Sequence, residues 1–183
     1  MSSPVASSLV QSQILREFPR FSIVDKESSV LMRVINIFLF ILTCGRHTGF
    51  LTKYITVIGN TVYVPPSWHS SHDVARAIVL RHELVHMRQC KKHGHLLFTL
   101  MYLFFPVPVF FAYYRKKFEQ EAYEETLRAM VEYVGIEALT PKVRERVLAH
   151  FSSVEYVWAW PWRNSLENWY DSFVAQLAKD VSP

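Results

Sequence analysis

The spacing of apolar residues changes character several times along the chain, and each change marks an element. Residues 1–29 are mostly polar, with Pro4 and Pro19 as breakers, and predict a weakly structured lead-in. From Val30 to Cys44 the chain is apolar nearly all round, with Ser28 or Ser29 placed to cap a helix. Arg33 and Asn36 leave a clean apolar run of about eight residues, well short of the roughly 20 that cross a bilayer. A buried core helix is the expectation there. Tyr54–Ile58 and Thr61–Val64 are β-branched runs around Gly59-Asn60, which predicts a hairpin.

The period turns helical from Asp73 to His93, where Ser70, Ser71 or Asp73 can cap the start and Gly94 the end. Residues 96–114 carry no charge over about 19 positions, close to a membrane-span length. Pro106 and Pro108 interrupt that segment, so it predicts a helix to Phe104, a turn and a short return. A buried helix and loop is the favoured reading, with peripheral membrane contact through 96–114 left open. Lys116–Val134 predicts a second long helix, with an apolar stripe and Gly135 as its stop. Thr140-Pro141 opens a helix to about Phe151, and a last helix runs from Asn164 to Lys179 with Glu167 placed for a capping box. The pattern as a whole is α+β and mostly α, with residues 30–183 as a single domain after the lead-in.

Composition narrows the function classes. Half of the 183 residues are hydrophobic and 15% aromatic, enough to build a core. Five glycines and no Gly-x-Gly-x-x-Gly or Walker pattern argue against a phosphate-cradling loop. A net charge of +4 without a long basic run gives no nucleic-acid footprint. Cys44 and Cys90 are too few and too far apart for a disulfide framework or a Cys-based zinc site. The first residues lack the basic and apolar regions of a secretory signal, so a cytoplasmic location is expected.

The candidate chemistry lies in Arg81-His82-Glu83-Leu84-Val85-His86, within the helix predicted for 73–93. On a helix His82 and His86 share a face one turn apart, so two imidazoles can hold one Zn²⁺. Glu83 adjoins the first ligand and can act as general base toward a water activated by the ion. With eight His and twelve Glu, chance alone produces His-Glu-x-x-His in roughly one such chain in fifty. A third ligand is therefore the deciding feature. Lys92 stands where the extended His-Glu-x-x-His-x-x-Gly-x-x-His pattern needs its third histidine, leaving the acidic stretch Glu119–Glu125 to supply a carboxylate.

With Glu119-Gln120-Glu121-Ala122-Tyr123 downstream, the chain resembles the gluzincin-type zincin metallopeptidases, whose following helix supplies a Glu ligand. Glu119-x-x-Ala122 looks like the Glu-x-x-Ala-Asp element of the membrane-linked members, the CAAX-prenyl and heat-shock-type peptidases, and the chain also resembles a family of small His-Glu-Leu-x-His proteins. The resemblance covers about residues 54–130. It implies a zincin-like fold with the metal helix between a hairpin and a Glu-bearing helix. It implies His82, His86 and Glu119 on Zn²⁺, Glu83 as base, and a peptide or protein substrate. It also implies that Thr61–Pro65 offers backbone to an extended substrate. Tyr123 departs from the pattern, where those families carry an Asp that orients a ligand His, and Glu121 with Glu125 is the alternative to Glu119. Tyr123, Tyr133, Tyr156 and His95 are candidate oxyanion donors.

Several residues have plainer expectations. His93 and His95 read as solvated helix-end residues, His69 and His72 as loop residues, and Trp158, Trp160, Trp162 and Trp169 as core. Glu124, Glu125 and Glu132 read as an exposed face. A di-iron reading of Glu83-x-x-His86 fails because no second Glu-x-x-His exists. The rivals to a peptidase are a catalytically silent zincin-fold binding protein and a membrane-associated structural factor. Oligomeric state is not legible.

Overall fold

The computed structural model describes residues 5–42, 45, 49–103, 110–152 and 162–181. The Pro106–Pro108 turn, Cys44, Tyr156, Trp158 and Trp160 lie outside the described residues. Backbone contacts divide the chain into two compact units, Met1–Met87 and Arg88–Pro183.

In the first unit the lead-in is not weakly structured. It forms helix α1 (Ala6–Glu17) and strand β1 (Ser22–Asp25). The polar spacing hid a narrow apolar stripe, Val10, Ile14 and Phe18, all buried at i, i+4 and i+8. The Asp73 carboxylate accepts both the backbone N–H and the hydroxyl of Ser7 in the first turn of α1. That anion therefore sits at a helix N-terminus, and the Ser7 hydroxyl bond, the largest of several causes, lowers its pKa.

Helix α2 (Val30–Leu42) forms where the apolar run predicts a helix, but it is not a core helix. Met32 is fully buried, whereas Val30, Leu31, Val34, Ile37, Phe38, Phe40 and Ile41 are exposed. Val30, Val34, Ile37 and Ile41 fall on one helical stripe, an apolar face left open among the described residues. No described helix is long and apolar enough to cross a membrane.

A short helix α3 (Phe50–Lys53) leads into the predicted hairpin, strands β2 (Thr56–Ile58) and β3 (Thr61–Val64). They pair antiparallel with Ile58 opposite Thr61, and Gly59 takes the positive φ of 62° that the tight turn requires. Strand β1 pairs parallel with β3, so the sheet order is β1-β3-β2. Val62 and Val64 alternate onto the buried face. Helix α4 (Ser67–Ser70) follows, and then α5 (Asp73–His93), which has the bounds the period predicts. The division between the units falls inside α5, between Met87 and Arg88.

The second unit contains the end of α5, then α6 (His95–Leu103), α7 (Phe110–Val134), α8 (Pro141–Ser152) and α9 (Arg163–Val181). Gly94, at φ 80°, turns the chain from α5 into α6. Leu96 and Leu97 at the start of α6 are exposed. The Thr140 hydroxyl accepts the N–H of Val143 and so caps α8, with Pro141 at its first position. Leu127 of α7, Val147, Leu148 and Phe151 of α8, and Leu166, Tyr170 and Leu177 of α9 form one buried cluster. Trp169 packs against it while donating its indole N–H to Glu124 at 2.9 Å, so Glu124 is not merely a solvated face residue. Trp162 is exposed. The Arg144 guanidinium holds both oxygens of Asp171 at 2.8 and 2.9 Å, which sets the register of α8 on α9 and keeps that carboxylate's pKa low.

Candidate metal centre

Helix α5 is buried on two faces. Ala77, Leu80, Leu84 and Met87 recur at helical spacing and form the apolar one. Nearly opposite run His82, His86, Gln89 and His93, at i, i+4, i+7 and i+11. Glu83 lies at the side of this polar stripe.

The lower half of the stripe is tied to α7 inside the second unit. The Gln89 amide donates to the Phe118 carbonyl at 3.1 Å and to the Glu121 carboxylate at 2.8 Å. The His93 ring lies 5.4 Å from that of Phe118, so His93 is half-buried rather than solvated. Glu119, the residue after Phe118, is 5% exposed. Glutamates are almost never this buried without a charged or metal partner.

One turn and two turns before Gln89 stand His86 and His82. Their Nε2 atoms are 3.2 Å apart and their rings meet edge to face. Two nitrogens bound at 2.0–2.1 Å to one ion at a near-tetrahedral angle would stand ~3.3 Å apart, so the pair fits a shared cation. One proton shared between neutral imidazoles also fits that distance. Ligand atoms of His82, His86 and Glu119 all lie within 4.8 Å of one another. Two imidazoles and a carboxylate are a donor set that can hold a divalent metal ion.

Glu83 is 8% exposed and has a buried positive charge acting on it. Lys26, the residue after β1, is fully buried, donates its ammonium to the Phe50 carbonyl at 2.9 Å and lies 3.9 Å from the centre of the Phe50 ring. Burial pulls the Lys26 pKa down to about 8, against the attraction of Glu83, which pushes it up. That attraction is mutual, so the Glu83 carboxylate sits in a positive field.

The other candidate residues have separate roles. Glu121 is exposed and accepts from Gln89, and it is not part of the His–His–Glu group. Tyr123 has its ring 4.9 Å from that of His150. His95 brings its Nδ1 within 3.1 Å of the Cys90 sulfur. His69 pairs with Asp25 at 2.6 Å, and the His72 ring accepts the Val74 N–H at the start of α5. Thr61–Val64 does not offer a free edge, because β3 is the central strand and its neighbours take both sides. The hairpin signal locates β3 but is blind to β1, which comes from the segment read as lead-in.

Three residues of this region carried no motif in the sequence: Gln89, Lys26 and His150. The His150 Nε2 lies 3.6 Å from Glu119 Oε2. A signal existed for two of them. Gln89 continues the spacing of the two histidines, and His150 falls on the apolar stripe Val143, Val147 and Phe151 of its helix. Lys26 has no such signature.

No protein-family model matches the chain, and neither the curated proteins nor the solved structures contain a significant match.

The burial of Lys26 has a measurable consequence. Its pKa is lower folded, about 8, than the ordinary 10.5, so the unfolded chain binds more protons between those values. Stability therefore rises with pH across that window. In urea unfolding, the stability of the wild type relative to Lys26→Met is expected to rise from pH 8 to 10. A pH-independent difference would contradict the assignment.

Proposed function

We propose that the chain is a zinc-dependent peptide hydrolase with a zincin-like site. The observation that carries the reading is the convergence of the His82, His86 and Glu119 ligand atoms within 4.8 Å, with Glu83 beside them in sequence. Among divalent metals this nitrogen and oxygen set suits zinc, which in hydrolases takes three protein ligands and keeps a position open. When bound, the ion supplies Lewis acidity toward water and toward the scissile carbonyl.

The residues of the chain do the remainder. His82, His86 and Glu119 hold the ion, and α5 presents both imidazoles without a flexible loop. Glu83 takes the proton of the attacking water and returns it to the leaving amine, so carboxylate and carboxylic acid alternate within one turnover. Its burial shields this exchange from bulk water, and the field of Lys26 supports the ionised form that begins the cycle.

Metal analysis of the purified protein should find about one zinc per chain. His86→Ala and Glu119→Ala should lose it, and Glu121→Ala should keep it. Glu83→Gln should retain metal while hydrolysis of a fluorescence-quenched peptide pool falls about 10²–10⁴-fold. Wild type without zinc sinks the site. Loss of zinc in Glu121→Ala with retention in Glu119→Ala reverses the ligand assignment. Metal without hydrolysis in the wild type favours a silent zincin-fold binding protein.

The open apolar face of α2 and the exposed Leu96 and Leu97 of α6 favour a second reading, that the chain also rests on a membrane surface. Co-sedimentation with anionic vesicles should then fall on Ile37→Lys. Absence of binding by the wild type removes this reading.

A further inference from the structure

Helix α7 presents Glu119 on a long side chain that must be fixed before it can act as a ligand. One turn further on, the same face carries Tyr123, whose hydroxyl is at the far end of its ring. What stands close to the Glu119 carboxylate is a residue of another helix. His150, near the end of α8, has its Nε2 3.6 Å from Glu119 Oε2, with side chains 23% and 6% exposed. The His150 ring is itself held edge-on, 4.9 Å from Tyr123 and 6.2 Å from Phe151. Helix α8 is anchored beneath it by Val147, Leu148 and Phe151 in the core and by the Thr140 cap at its start. Two neighbouring positions of α7 are thus used together, Glu119 as the carboxylate and Tyr123 as the wall that sets the imidazole against it.

We propose that His150 is a positioning residue for Glu119, holding one carboxylate oxygen so that the side chain is pre-set to receive a metal ion. The inference rests on the metal-centre reading above and adds to it a residue on α8 outside the His–His–Glu group. At 3.6 Å the contact is longer than a hydrogen bond, and a small side-chain rotation closes it to the ~2.8 Å of a charge-assisted one. The neutral tautomer with its proton on Nε2 suffices as donor, so no protonation change is needed. Groups that orient a ligand in this way typically change metal affinity 10–100-fold when removed.

The test is zinc affinity of the full chain by competition with a chromophoric chelator, for wild type, His150→Phe and His150→Gln. Phenylalanine keeps the ring against Tyr123 and Phe151 and removes the donor, while glutamine keeps a donor and removes the ring. His150→Phe should weaken zinc ~10–100-fold with unchanged melting of the metal-free protein, and His150→Gln should recover much of the loss. The visible absorption of the Co²⁺-loaded protein should also change in His150→Phe, which a purely packing role would not cause. Wild-type zinc affinity with His150→Phe within about threefold and an unchanged Co²⁺ spectrum overturns the inference and leaves the centre standing. No zinc affinity in the wild type removes the metal reading itself and this inference with it.

Discussion

The Gln89 side-chain amide ties the end of α5 to the helix that carries Glu119. Its two bonds, to the Phe118 carbonyl and to Glu121, lie within the second unit. Gln89 is one turn from His86 and two from His82, and its acceptor residue adjoins Glu119. A buried amide with both bonds made is also costly to break, since any shift strands its polar atoms.

Charge burial is the second constraint. Lys26, Glu83 and Glu119 are all withdrawn from water, and each destabilises the fold unless something compensates it. For Lys26 the compensation is visible in the Phe50 carbonyl, the Phe50 ring and the attraction of Glu83. Such groups are poor choices for stability alone, and buried charges are commoner at functional sites than elsewhere. The exposed Arg144–Asp171 and Arg163–Glu145 pairs on α8 and α9 contrast with them, because solvent screens those contacts and they act mainly in alignment.

Local rules made much of the fold legible in advance. The extent of α5, the turn at Gly59-Asn60 and the cap at Thr140-Pro141 depend on residues close in sequence, and the structure has them where period and capping place them. The misses have a common cause, which is tertiary partnership. Val10 and Ile14 of α1 and Phe18 just after it are too sparse to announce an amphipathic helix, yet suffice once buried. Pairing of β1 with β3 joins Ser22 to Thr61 across 39 positions and turns a presumed edge into a central strand. Apolar content predicted a buried α2, but burial depends on a covering element, and among the described residues that face is open. In the candidate site the histidines announce themselves by spacing. Lys26 and His150, which pair with Glu83 and Glu119, and Gln89, which ties α5 to α7, are ordinary residue types whose meaning comes from position in space.

Everything proposed for the chemistry requires His82, His86 and Glu119 to hold one metal ion. X-ray absorption at the zinc edge of the purified protein tests it most directly, because the method reports the atoms around the ion without a substrate. The expected result is two imidazole nitrogens and light oxygen donors at ~2.0–2.1 Å, with an imidazole contribution lost in His86→Ala. A shell containing sulfur at ~2.3 Å, or a protein that carries no zinc, would contradict it.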